Sequence, residues 1–410
     1  MDVLYKGCCG LDVHKETLAA CTLIWEHGRV HKEKRIFGTT TRELLNLADW
    51  LNERGITHIG MESTGVYWKP ILNILERQFD ITLVNAQPFE SVPGRKTDLK
   101  DGEWLGDLLQ HGLLRKSFVP PKPIRELRDL TRSRATLAQE KVRFSCRIQK
   151  VLEDANIKLA CVASDVLGAS GRAMLKAIVD GESDPTILAE LAQKRLRAKL
   201  PQLRSALTGC ITDHHRSLLK QWLEMLTNIE TKIAEFDARI EETIVFFGEA
   251  VTAWTTIPGI DRVAAWSLVA EIGADMNQLP SAEHLSSWAG VCPGNNETAG
   301  KKKSAKTRRG GVWLRRILCE GAWAASYCKK SYFSAQYQRL AGKRGKKRAL
   351  IAVAHSLIVV GYQLLKRGST FQDLGPDYFE HVNHTALTRY HLKKLNALGY
   401  EINVTPKDSA

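Results

Sequence analysis

The chain has 410 residues, 44% of them hydrophobic and 25% charged, which describes a soluble protein of two or three domains and excludes a single ordinary core. Its 59 Lys and Arg against 45 Asp and Glu give a net charge of +14. An excess of that size on a soluble protein points to a polyphosphate partner, because binding releases counterions from nucleic acid. Nine cysteines without CxxC spacing read as reduced, buried thiols rather than a metal site. With no basic segment before a long apolar core, and no 18-residue apolar run, the expectation is a cytoplasmic protein with no membrane partner, working at the bacterial nucleoid.

Residues 1–120 alternate between the two hydrophobic periods. "YKGCCGLDV", "TLAACTLIW" and the segment ending "KEKRIF" predict three strands. "TTRELLNLADWLNERG" predicts a helix capped at Thr40 or Thr41 and stopped at Gly55. "THIGMES" and "ITLVNA" predict two more strands around a helix in "YWKPILNILERQF", and "DLKDGEWLGDLLQHG" a further helix. This order predicts an α/β domain on a mixed sheet.

Residues 121–250 turn all-α. The stretch from Ile124 to Ile157 is helical with no proline. Further on, Leu219, Trp222, Leu226, Ile229, Ile233, Phe236 and Ile240 are spaced alternately three and four apart, the seam of a coiled-coil segment. Its partner is either a helix of the same chain or a second subunit. Residues 251–370 open with "IPGIDRVAAWSLVAEIG", which resembles a helix-hairpin-helix turn whose amides grip phosphate, although Asp261 stands where a second glycine would strengthen the match. Residues 371–410 form a polar tail.

Four acids sit at predicted element ends: Asp12 after the first strand, Glu62 after the fourth, and Asp98 and Asp101 one turn apart on one helix face. Clustered carboxylates suit one or two Mg²⁺ ions, which can clamp the attacking and leaving oxygens of a phosphodiester. Taken singly, each acid has a plainer reading; Asp98, beside Thr97, would serve as a helix cap. A second feature is "NNETAGKKKSAKTRRGG", where Thr298 precedes Lys301, Lys302, Lys303, Lys306, Arg308 and Arg309. With Arg315 and Arg316, the span from 301 to 316 holds eight cations and no acid, and "GKRGKKR" adds a cluster at 342–348. Trp313 and Trp323 lie nearby at helical spacing and read as core.

"GLDVHKE", "MESTGVYWKP", "KTDLKDGEWLGDLL", "IPGI", "WAGVCPGNNETAGKKKS" and "RRGGVWLRRIL", in this order, resemble the DEDD transposases of insertion sequences, the IS one-ten family. The resemblance implies a RuvC-like ribonuclease-H-fold domain, a coiled-coil linker and a mostly helical C-terminal transposase domain with a nucleophilic serine. It also implies donor and target DNA, a structured bridge RNA encoded by the element, and a dimer or tetramer in which one subunit's acids face another's hydroxyl. By the same match, Asp12, Glu62, Asp98 and Asp101 become the metal-binding catalytic tetrad. The serine position falls on Thr298, a departure that keeps the hydroxyl and adds a methyl; Ser304 is the nearest other hydroxyl. Two rival readings stay open, a metal-dependent structure-selective nuclease and a non-catalytic nucleic-acid-binding protein descended from a transposase.

Overall fold

A computed structural model describes residues 3–63, 65–84, 98–114, 116–294, 296–298, 301–304, 306–307, 310–382 and 384–400, with the side chains of 98–99, 296–298, 301–304, 380 and 384–387 left aside. The chain divides into two compact units, Met1–Val119 and Pro120–Ala410.

The first unit is a five-stranded mixed sheet. Strands β1 (Gly7–Val13), β2 (Thr17–Glu26) and β3 (Arg29–Gly38) form an antiparallel meander. Helix α1 (Thr41–Glu53) follows, its Glu43 amide donating to the Thr40 hydroxyl. Strand β4 (His58–Glu62), helix α2 (Trp68–Leu75) and strand β5 (Asp80–Val84) complete the sheet in the order β3-β2-β1-β4-β5, with β4 parallel to both its neighbours. Odd residues of β1, Cys9, Leu11 and Val13, join a core with Leu44, Leu47, Trp50 and Ile71. Even residues face the other way, where helix α3 (Asp98–Gln110) packs. Strand β3 is an edge, and its exposed Lys32 and Lys34 discourage further pairing while binding Glu103 of α3.

In the second unit, α4 (Lys122–Asp154) starts behind a proline-rich entry and runs antiparallel to α9 (Asp213–Ile244). The direction follows from cross-links between them: Arg134 with Asp237, Lys141 with Glu230, and Asp154 with His215. The heptad seam is therefore satisfied within the chain; Leu219, Leu226, Ile229 and Ile240 are buried, and Trp222, Ile233 and Phe236 are partly so. Helices α5 (Leu159–Val162), α6 (Ala169–Val179), α7 (Pro185–Glu190) and α8 (Leu200–Leu207) cover the far end of that pair.

The near end of α4 enters a separate core built by α10 (Gly248–Thr255), α11 (Arg262–Ile272), α12 (Ala282–Trp288), α13 (Val312–Tyr327), α14 (Tyr332–Arg344) and α15 (Lys346–Arg367). A hairpin of β6 (Asn296–Thr298) and β7 (Lys301–Ser304) lies between α12 and α13 in sequence, and α16 (Tyr378–Val382) and α17 (His384–Ala397) follow the core. Helix α15 is long and apolar enough to cross a bilayer, but Val353, Ala354, Leu357 and Ile358 bury in this core, which accounts for its composition.

Two expectations need correction. All nine cysteines are free thiols, but only Cys8, Cys9 and Cys21 are buried, while Cys146 and Cys161 are exposed on helices and Cys210 is exposed in the loop between α8 and α9. Trp323 is not core: it is 47% exposed, edge-on to the exposed Tyr327, because residues 312, 323 and 327 fall on the outer face of α13. Trp313 is partly buried under the Arg132 guanidinium.

Candidate functional site

The acid site is built by register. Cys8 of β1 pairs with His58 of β4, and the ladder ends at Leu11 and Met61. Asp12 and Glu62 are the next residues on the two strands, side by side at their carboxyl ends, where parallel strands lie about 4.8 Å apart. Open α/β sheets present their ligands at this end of the strands.

Helix α3 reaches the same end because glycines let its backbone touch the sheet. A Cβ on Gly10 would stand 2.0 Å from the Gly102 carbonyl oxygen and 2.4 Å from the Gly106 nitrogen. A Cβ on Gly102 would lie 3.3 Å from the Gly10 oxygen and 3.7 Å from the Asp12 nitrogen. The other end of α3 approaches the start of the sheet, its Gln110 carbonyl accepting from the amides of Leu4 and Tyr5. The helix thus runs antiparallel to β1 and brings its first turn, Asp98 to Asp101, to the strand end that carries Asp12 and Glu62. Asp101 is half-buried there; Asp98 is placed by its backbone alone.

Around this end, Asp12 Oδ2 lies 3.3 Å from His14 Nε2, a neighbour the sequence reading passed over although it sits two residues along on the same strand exit. Across α3, Glu103 receives Lys32 at 2.8 Å and Lys34 at 2.5 Å; these hydrogen bonds hold its carboxyl down at about 2. Among the described residues no cluster of three His, Cys, Asp or Glu side chains is already drawn together as a metal cage. The donor set itself is hard oxygen, and the close glycine contact fixes the helix turn that carries half of it.

The basic site belongs to the second unit. Thr298 closes β6 opposite Lys301 of β7, and Glu297 pairs with Lys302, with a register shift between Asn296 and Glu297. This short hairpin is tied down at its feet. The Gly294 amide donates to the Lys306 carbonyl at 3.1 Å, and the Gly311 amide to the Trp288 carbonyl at 3.0 Å. Gly310 presses on the backbone of Gly290, with 2.4 Å between a notional Cβ and the Gly290 nitrogen. Arg315 donates from Nη2 to the Thr307 hydroxyl at 3.0 Å, and Arg316 pairs with Glu320 at 2.7 Å, so both already brace the start of α13. Lys306 is exposed, Lys301 to Lys303 are placed by backbone only, and Arg308 and Arg309 lie outside the described residues.

The Pro-Gly turn is used for packing. A Cβ on Gly259 would meet the Ala325 nitrogen at 2.4 Å, and the Asp261 carboxylate takes the Ala264 amide at 2.7 Å. That carboxylate occupies the place a phosphate would need at the start of α11. Behind it, Glu271 is buried and grips Arg132 through two bonds of 2.7 and 2.8 Å, while Arg128 binds the Ala270 carbonyl at 3.0 Å. Burial lowers the Arg128 guanidinium from its ordinary value, and Glu271 opposes that effect.

The first unit thus carries carboxylates at the ends of its parallel strands, and the second a hairpin rich in lysine by sequence. Residues 9–157 match a transposase family model of the DEDD, IS110 type, and residues 252–338 match the model described as the Transposase IS116/IS110/IS902 family. Both stretches are thus similar to transposase domains of the IS110 type. It is also similar to the pilin gene-inverting proteins of Moraxella bovis and Moraxella lacunata, each 24% identical over 181 residues. Those segments are 43% of this chain and 55% of each relative, so the chain spans about half the length of the curated relatives it matches.

Proposed function

We propose that the protein is a DNA recombinase of an insertion sequence, cutting and rejoining DNA strands through a metal-bound carboxylate set and a hydroxyl nucleophile. The observation that carries this reading is the convergence of Asp12, Glu62 and the first turn of α3 on one strand end, through the contact between Gly10 and Gly102. The domain matches and the inversion named for the Moraxella proteins support DNA as the substrate.

In this reading the first unit is a RuvC-like ribonuclease-H-fold domain, and Asp12, Glu62, Asp98 and Asp101 hold one or two Mg²⁺ ions. Such ions, when bound, neutralise the scissile phosphate and polarise it for attack. The chain's own work is to orient that phosphate at the strand end and to present the Thr298 hydroxyl. Attack by Thr298 Oγ1 on phosphorus forms a protein–DNA phosphodiester as the bond to the leaving DNA oxygen breaks and a proton passes to that oxygen. The new ester keeps the bond energy for rejoining, which a hydrolase would discard. Lys301, Lys302, Lys303, Lys306, Arg308 and Arg309 would neutralise the strand beside it, with Arg315 and Arg316 holding the helix beneath. A bridge RNA would supply the sequence, since base pairing can select sites the protein reads only by shape. A homo-oligomer would place one subunit's acids against another's hydroxyl.

The test uses a plasmid carrying the DNA that flanks the gene, incubated with purified protein, Mg²⁺ and RNA transcribed from that flank. Expected is a recombined junction detectable by amplification, lost in Asp12→Ala and Glu62→Ala. An unrelated RNA of equal length should give none at matched salt. Junctions at ordinary yield in either variant would remove the acids from the reaction; strand cleavage without rejoining or adduct would favour the nuclease reading.

A further inference from the structure

A cleft of about 800 Å³ opens at the foot of the β6–β7 hairpin. One wall is the two hairpin feet, with Pro293 on one side and Lys306 and Thr307 on the other. The opposite wall is the end of α14 and the start of α15. The helices contribute one cationic rim, Arg344, Lys347 and Arg348, all exposed. Among the described residues lining it there is no acid. Below the rim the floor is apolar, formed by Val291, Leu340, Ala349, Ile351 and Ala352. Gln336, His355 and Ser356 lie at its back, with Gln336 donating to the Ser356 hydroxyl at 2.8 Å.

Three features distinguish this cleft from a merely solvated basic surface. Lys347 and Arg348 stand in the first turn of a 22-residue helix that has no side-chain cap and no acid there, so its dipole and these side chains attract the same sign, and Arg344 ends α14 beside them. Partly exposed Leu340, Ile351 and Ala352 offer apolar area inside a positive rim, the combination that accepts a nucleobase while its phosphate stays outside. Its volume suits a unit of that size and is far too small for a duplex. Burial also holds His355 below its ordinary value, with Glu283 pulling the other way, so the back of the cleft carries a neutral imidazole able to donate or accept.

We propose that this cleft holds one unstacked nucleotide of the DNA strand, its base on the apolar floor and its phosphate at Arg344, Lys347 and Arg348. The inference rests on the reading that the chain acts on DNA, and it specifies how the strand is gripped beside the Thr298 hairpin. Seating a base here costs its stacking in the duplex, a loss that the rim charges offset. Half the cleft, α15, falls beyond the stretch matched by the family model.

The experiment is photo-cross-linking of the full-length protein to a short single-stranded DNA carrying 5-iododeoxyuridine, with peptide mapping. The expected cross-link falls between residues 336 and 356. Ala352→Trp, which fills the floor, should abolish it, and the exposed rim variants Arg344→Glu and Lys347→Glu should each weaken binding of the same DNA by about tenfold, as loss of a charged hydrogen bond implies. The rim variants, being at the surface, report even if the tryptophan disturbs folding. Cross-links mapping elsewhere, or unchanged affinity in both rim variants, would overturn the proposal; stronger cross-linking by an RNA of the same sequence would overturn its assignment to DNA. No cleavage is needed, so a cross-link in the cleft without any recombined junction would count against the recombinase reading and not against the cleft.

Discussion

The acid-bearing end of the sheet and the basic hairpin are built in opposite ways. Asp12 and Glu62 extend strands paired on both sides, and the helix turn beside them is pressed onto the sheet by backbone contact at Gly10, Gly102 and Gly106. Thr298 stands on a two-stranded ribbon of seven strand residues whose feet are tied together at Gly294 and Lys306 and anchored to the helical core at Gly310 and Gly311. A group that must hold a metal in fixed geometry gains from the first arrangement, because misplacement of about 1 Å is costly. A group that must meet a strand, react and meet it again gains from the second. On the proposed reading, a sheet-bound half and a hairpin-borne half would share one chemistry.

The largest effect on stability belongs to Glu271→Ala, in the core of the helical unit. It leaves Arg132 and Arg128 partly buried without their carboxylate, and the helical unit should lose about 3–5 kcal/mol in denaturant unfolding. A loss under about 1 kcal/mol would mean that water already solvates the group. Gly10→Ala comes next. Its Cβ meets only backbone, so the sheet unit should lose about 3 kcal/mol and α3 should lift from the sheet, read as faster amide exchange at Gly102 and Gly106. Unchanged exchange would contradict the packing that brings the helix turn to Asp12.

Gly310→Ala breaks the comparison from the other side. Its Cβ would strike Gly290 and the Trp288 carbonyl, so strand transfer should fall steeply while unfolding of the helical core shifts by only about 1 kcal/mol. Equal damage to both would show that the hairpin is part of the core. The smallest effect belongs to Glu103→Gln, about 0.2–1 kcal/mol as for a surface ion pair. Because the folded carboxyl titrates at about 2, below the unfolded one, that contribution is present above the ordinary carboxylate range and fades as pH falls toward 2. Titration of the wild type and the variant should converge there.

The strands and helices of the first unit were legible because alternation and helical spacing are local signals; β1, β2, β4 and β5 fall where the apolar runs place them, and the charged β3 takes in the segment ending "KEKRIF". The glycine contact was not, since a residue without a side chain leaves no pattern, and only the pair Gly102 and Gly106, one turn apart, hints at it. The seam on α9 was legible and its partner was not: α4 supplies the other side from about eighty residues upstream, with insertions between that carry no mark of it. The cleft was hidden for the same reason, as residues 291–307 and 336–356 meet only in three dimensions, although Arg344, Arg348, Ala352 and His355 recur at nearly one helical turn. Trp323 misled because helical spacing marks a face without saying which face is inside.

The central claim is that the Thr298 hydroxyl takes the DNA strand and the strand-end acids make it possible. The direct measurement is a denaturing gel for protein joined to labelled flanking DNA, run in Mg²⁺ with wild type, Thr298→Ser, Thr298→Ala and Asp12→Ala. Serine lacks the methyl that crowds attack on phosphorus, so Thr298→Ser should give as much adduct as wild type or more. Thr298→Ala and Asp12→Ala should give none while melting like the wild type. An adduct that persists in Thr298→Ala would contradict the account and move the nucleophile elsewhere, with Ser304 the next residue to replace.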